Sequence, residues 1–120
     1  GWKAYGESKQ ANVLFTYELA RRLKGTGVTA NCMHPGVVGT GFFNKIGGLA
    51  GKFLRLFAPF MRTPEKGADT VIWLASSPEV EGVTGKYFVD RKEQATNPES
   101  YDTTTAARLW EVSERMCSPI

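Results

Sequence analysis

Two short segments rich in β-forming residues, VTANCM at 28–33 and KYFVD at 86–90, each follow a longer run whose apolar residues recur at helical spacing. This order constrains the chain more than any other feature. A strand, a helical crossover and a second strand pack back on each other only as parallel neighbours joined right-handedly, which predicts an α/β architecture. The first helix is predicted over 4–24, with Arg21, Arg22 and Lys24 suited to its negative C-terminal end and Gly25 as its cap. Thr63 can cap a second helix, with Pro64 in its first turn, Glu65 at the positive end of its dipole and Pro78 just beyond its end at Ser76. A last helix starts at Asp102 or Thr103, and its Ala106, Leu109, Trp110, Ser113 and Met116 share a core-facing spacing. Between the last strand and this helix, RKEQATNPES reads as a polar loop. Two parallel strands are too few to bury both faces of a sheet, so the pattern reads as part of an α/β domain.

At 120 residues the chain holds one domain at most. Net charge is +3, too mild to argue for nucleic acid, and no nucleic-acid motif is present; a basic nucleic-acid module is the weakest reading. From Leu19 to Pro64 there is no acidic residue, only Arg21, Arg22, Lys24, Lys45, Lys52, Arg55 and Arg62. That stretch is either a solvated basic face or a surface for an anion. Cys32 and Cys117 lack CxxC spacing and there is one histidine, so no metal site is expected and the thiols read as free. No signal peptide is recognisable, and no apolar run reaches the roughly 20 residues of a membrane helix.

The first helix carries the chemistry. At 100° per residue, Tyr5, Lys9, Asn12 and Thr16 fall within an arc of about 60°, on the side that the apolar residues mark as inward. A lysine drawn out of water needs a partner. Beside a phenol, an ammonium favours the phenolate, and such a tyrosine can give a proton to a carbonyl oxygen or take one from an alcohol. The bland alternative is a buried tyrosine beside a snorkelling lysine. Leu14 and Tyr17 stand on the otherwise charged side of the same helix and are expected to be exposed, where they suit contact between copies.

HPGVVGT, at 34–40, lies where the first strand ends, and α/β sheets bind ligands beyond the carboxyl ends of their strands. Pro35 sets the turn, Gly36 permits close approach, Val38 offers backbone groups and Thr40 a hydroxyl for a carboxamide. A rival reading takes GVVGTG as a dinucleotide phosphate loop, but no helix opens at its last glycine and no acidic residue follows about 20 positions on. His34 is read as structural.

YGESK, then ANVLFTYELARRLKGTGVTANCMHPGVVGT, TPEKGADTVIWLASSPEVEGVTGKYFVD and RLWEVSERM, together resemble the short-chain dehydrogenase/reductase family, its retinol-dehydrogenase-like branch in particular. The resemblance covers essentially the whole chain. It implies the C-terminal part of a Rossmann-like doubly wound parallel sheet: about two parallel strands with flanking helices, the N-terminal half absent. It divides the single domain into 1–46 (catalytic helix, strand and nicotinamide loop), 47–62 (substrate region) and 63–120. It implies a nicotinamide-dependent oxidoreductase using NAD or NADP, with Tyr5 as general acid/base and Lys9 as the lysine that assists it and binds the nicotinamide ribose. Pro35, Gly36, Val38 and Thr40 match the loop holding the nicotinamide end. Leu49, Phe53, Leu54, Phe57 and Phe60 match the substrate region, suited to a small hydrophobic carbonyl or alcohol. A second reading lays 47–62 on a membrane surface through Lys52, Arg55 and Arg62, within an otherwise cytoplasmic location. The family's glycine-rich phosphate loop and the serine and asparagine that complete its site have no counterpart here. The chain alone is therefore expected to be inactive, and an association module without catalysis is the alternative function.

Overall fold

The structure is a computed structural model that describes residues 1–36 and 63–118. Helix α1 spans Trp2–Arg22, starting two residues earlier and ending two earlier than its spacing predicts. Strand β1 is Cys32–His34, helix α2 Pro64–Ser76, strand β2 Tyr87–Val89, strand β3 Lys92–Glu93 and helix α3 Thr103–Cys117; single 3₁₀ turns occupy Pro78–Val80 and Pro98–Tyr101.

The helix starts follow the local chemistry. The Thr63 hydroxyl accepts from the Lys66 N–H at 3.3 Å, and Pro64 occupies the first turn, where its missing N–H costs nothing. Asp102 caps α3, its Oδ1 accepting from Thr104 N at 2.9 Å and Thr105 N at 3.3 Å.

The sheet runs β1-β2-β3. β1 and β2 are parallel as predicted, with Cys32 opposite Tyr87, Met33 opposite Phe88 and His34 opposite Val89. The expected strand 28–33 begins only at Cys32. Before it, side chains supplement a backbone bond from Gly85 N to Ala30 O (2.8 Å): Asn31 Nδ2 donates to Val83 O at 2.7 Å, Lys86 N donates to Asn31 Oδ1 at 3.1 Å, and Ala30 N donates to Thr84 Oγ1 at 3.0 Å. β3 is a correction to the predicted polar loop. It pairs antiparallel with β2, Val89 opposite Lys92, across a two-residue turn whose Asp90 (φ 51°) and Arg91 (φ 59°) are both left-handed, as the tightest hairpin turns require.

The packing of α1 is the larger correction. Its buried residues are Leu14, Tyr17, Glu18 and Ala20. Leu14 and Tyr17, predicted to be exposed for association, are 7% and 6% exposed, with α3 and the Pro98–Tyr101 turn packed against the helix. The charges on that side misled the reading because they are paired. Glu18 accepts from Arg21 Nη2 at 2.6 Å and Arg22 Nε at 2.7 Å, so the arginines lie along the surface rather than repelling the neighbouring helix. Trp110 of α3 stacks on Phe15 (centroids 4.9 Å apart) and takes the Arg22 guanidinium 4.6 Å from its ring centroid. Ala106 is the centre of this contact at 1% exposure, whereas Met116, predicted to face the core, is exposed at the far end of α3.

Candidate active site

Two contacts set how α1 lies along the sheet. The Cβ of Ala20 would stand 3.4 Å from a Cβ at Gly85, whose N–H donates to Ala30 O at 2.8 Å. One helical turn earlier, Thr16 reaches the Cys32 thiol. Moving back along α1 therefore means moving forward along β1. With 1.5 Å per helical residue, Lys9 and Tyr5 lie about 10 and 16 Å beyond Thr16 along that direction. Lys9, Tyr5 and the Pro35–Gly36 turn therefore all lie toward the carboxyl ends of the parallel strands.

Lys9 and Tyr5 stay together. The Lys9 ammonium sits over the Tyr5 ring, 5.4 Å from its centroid. It has no acidic partner among the described residues, whereas Lys3 one turn earlier faces Glu7 at 3.9 Å. The expected burial of this face is not found: Tyr5 is 57% exposed, and Lys9 and Asn12 are exposed with it. The helical wheel fixes the direction of these side chains but not what stands opposite them. Only at Thr16, where the arc meets β1, is the face half-buried.

Past β1 the chain turns at Pro35 and Gly36, and Gly36 takes the left-handed φ of 76° that only glycine adopts freely. Its N–H donates to His34 Nδ1 at 2.8 Å, so His34 braces the turn, in keeping with a structural role. Burial raises the Cys32 thiol above its ordinary range, the Thr16 hydroxyl opposing this less strongly, so it packs as a protonated group. Both cysteines are free. Val38, Thr40, Leu49, Phe53, Leu54, Phe57 and Phe60, with the whole 47–62 segment, lie outside the described residues.

The sequence reading missed a cluster at this edge. Arg91 grips the Asp69 carboxylate with Nε (2.8 Å) and Nη2, and its backbone N–H donates to the buried Thr70 hydroxyl at 3.3 Å. Its one sequence signal was the two-residue gap between Val89 and Lys92. A cleft of about 660 Å³ lies elsewhere, at the amino ends of the strands, lined by Tyr17, Leu23, Lys24, Val28, Thr84 and Tyr101. It is at the opposite end of α1 from Tyr5 and plays no part in this site. Among the described residues, no helix is long and apolar enough to cross a membrane.

The family model described as enoyl-(acyl carrier protein) reductase matches residues 1–90. Human retinol dehydrogenase 14 is 51% identical over 115 residues, covering 93% of this chain and 34% of the relative. Human retinol dehydrogenase 12 is 46% identical over 110 residues (92% and 34%), and mouse retinol dehydrogenase 13 is 41% identical over 122 residues (94% and 35%). The chain spans about a third of the length of these relatives.

Proposed function

The chain belongs to the short-chain dehydrogenase/reductase family, and from that membership we propose that it supplies the proton-transferring and nicotinamide-holding part of an oxidoreductase acting on a hydrophobic carbonyl or alcohol. NAD or NADP, when bound, supplies hydride chemistry at nicotinamide C4. The rest falls to this chain's residues. Tyr5 gives its phenolic proton to the carbonyl oxygen during reduction and takes a proton from the alcohol during oxidation. Lys9, held over the Tyr5 ring, offers its N–H donors to the ribose hydroxyls. The Pro35–Gly36 turn lets the backbone approach the nicotinamide closely, and Val38 and Thr40 offer groups for its carboxamide. Leu49, Phe53, Leu54, Phe57 and Phe60 suit a hydrophobic substrate by their apolar character, and retinol, named for the relatives, is the first substrate to try.

The observation that carries this reading is the Lys9 ammonium held over the exposed Tyr5 ring, 5.4 Å from its centroid. The described residues fit the nicotinamide end of the cofactor: a cation without an acidic partner, an accessible phenol and a glycine turn. Titration with NADH and NADPH, followed by nicotinamide fluorescence, tests it. Lys9→Met should weaken binding, and Tyr5→Phe should leave binding within about twofold while abolishing turnover in any active assembly. Unchanged affinity in Lys9→Met would refute the assignment.

A second reading, an association module that is inactive alone, is favoured by the exposed Val71 and Ile72 on α2 and by β1, which pairs on one side only among the described strands. On that reading the chain sediments as a complex with itself or with a complementary polypeptide, and binds NADH only in that complex. Tight NADH binding by a monomer would exclude it.

A further inference from the structure

The cleft at the amino ends of the strands is walled by the last turn of α1, the turn that follows it, the segment before β2 and Tyr101, and its volume is about 660 Å³. That falls within the roughly 300–1,000 Å³ range of clefts that take small molecules. Gly25, Gly27 and Gly82 line it, and a Cβ added at any of them would meet nothing within 4 Å, so no side chain of the described residues fills the space beside them. The apolar lining is uncovered: Val28 is 57% exposed and Tyr101 is 52% exposed. Tyr101 is nonetheless fixed in place. One face of its ring stacks on Tyr17, and its hydroxyl accepts from the Thr96 N–H at 3.0 Å, so its other face is a rigid aromatic wall.

The charge around this cleft has one sign. Arg21 and Lys24 line it, and among the described residues no carboxylate does. Glu81 and Asp102 adjoin lining residues in sequence only, and Asp102 directs its carboxylate onto the Thr104 and Thr105 N–H groups. Arg21 donates to Glu18 through Nε and Nη2, whereas Lys24 has no acidic partner among the described residues. We propose that this cleft binds a small amphiphile of the fatty-acid carboxylate class, with its apolar body against Leu23, Val28 and the Tyr101 ring and its anionic head at Lys24. Covering Val28 and the open ring face supplies the affinity, and Lys24 supplies the choice of charge. The site lies at the opposite end of α1 from Tyr5, and nothing in it depends on the proposed reaction.

The test titrates the whole chain with dodecanoate, below its micelle-forming concentration, and follows the backbone amides by NMR. The amides of 23–29, 82–85 and Tyr101 should shift in a saturable way, and those of Lys9, Gly36 and Ile72 should not. Dodecyltrimethylammonium, the same chain with a cationic head, should bind about tenfold more weakly. Lys24→Glu should weaken dodecanoate binding about fivefold and bring the two probes together. Val28→Ser should weaken both probes about fivefold. Both residues are exposed, so the variants keep the fold, and unchanged amide dispersion verifies it. Equal binding of the two probes to the unsubstituted chain would overturn the proposal, as would unaltered dodecanoate affinity in Lys24→Glu. Shifts just as large at the exposed Val71 and Ile72 would reduce the effect to general detergent uptake and overturn it too. Sedimentation covers the other occupant: a dimer that Val28→Ser dissociates, and that takes up no dodecanoate, would assign the cleft to a second copy and refute the amphiphile.

Discussion

Tyr17 ties α1 to the segment before α3, and alkaline pH should loosen that tie in a calculable way. Its ring is buried and stacked on Tyr101, 5.5 Å between centroids, and its hydroxyl shares a 3.0 Å hydrogen bond with the Thr96 hydroxyl. Burial, joined by the neighbouring Tyr101 and only partly opposed by the Thr96 bond, pushes the Tyr17 phenol up to about 12. A phenol that keeps its proton more firmly in the folded state contributes stability that is complete below its ordinary value near 10 and is lost as pH rises toward 12. At pH 11.5 the loss is about 2 kcal/mol. Tyr17→Phe keeps the ring stack and loses the hydrogen bond, which costs about 1 kcal/mol at pH 9. The variant should therefore be less stable than the parent at pH 9 and more stable at pH 11.5, the two curves crossing at about pH 10.7. Urea unfolding of both proteins at half-unit pH steps measures this directly. The comparison cancels the ionisation of the lysines, which both proteins share, but not that of Tyr101, which interacts directly with the Tyr17 phenol. Parallel curves without a crossing would refute the claim that Tyr17 is buried in protonated form.

Other outcomes follow from the same packing. Glu18→Gln should cost about 1 kcal/mol, because its arginine partners are partly exposed and screened, and the difference should shrink in molar salt. Burial raises the Glu18 carboxyl, but Arg21 and Arg22 together outweigh it and hold the group below its ordinary range. That contribution is therefore present above the usual carboxylate range and is lost as pH falls through the lowered value, so parent and variant should converge in acid. Trp110→Ala should cost about 3 kcal/mol in denaturant unfolding through the loss of the Phe15 and Arg22 contacts. Trp110→Phe should cost less than half of that, because the indole N–H it removes is buried without an acceptor among the described residues. Gly85→Ala should cost about 1 to 2 kcal/mol in the same assay, since it places a side chain at φ 69° against Ala20.

The elements that the sequence made legible are those whose cause is local. The Thr63 and Asp102 caps are a few residues long, and both helices start where those residues place them. The parallel pairing of β1 and β2 followed from a helical crossover between two β-rich segments, which leaves little topological choice. β3 escaped because Lys92 and Glu93 carry no strand preference. A two-residue edge strand is held by its partner's backbone and its turn rather than by its own side chains.

For the candidate site, the amino-acid order by itself determined that Tyr5 and Lys9 share a helix face and that a glycine turn follows β1, because helical and strand periods are properties of one segment. Tertiary structure alone decided that α3 covers the side of α1 carrying Leu14, Tyr17 and Glu18. It also decided that Tyr5 and Lys9 are exposed rather than buried, and that Asp69 and Thr70 reach a strained turn more than 20 residues along the chain. The physical reason is that a helix advertises its apolar residues, but which side it buries depends on whether neighbouring charges can pair along the surface. Glu18 pairs with Arg21 and Arg22 within α1 itself, but only the packing of α3 against the helix shows that this side is the buried one.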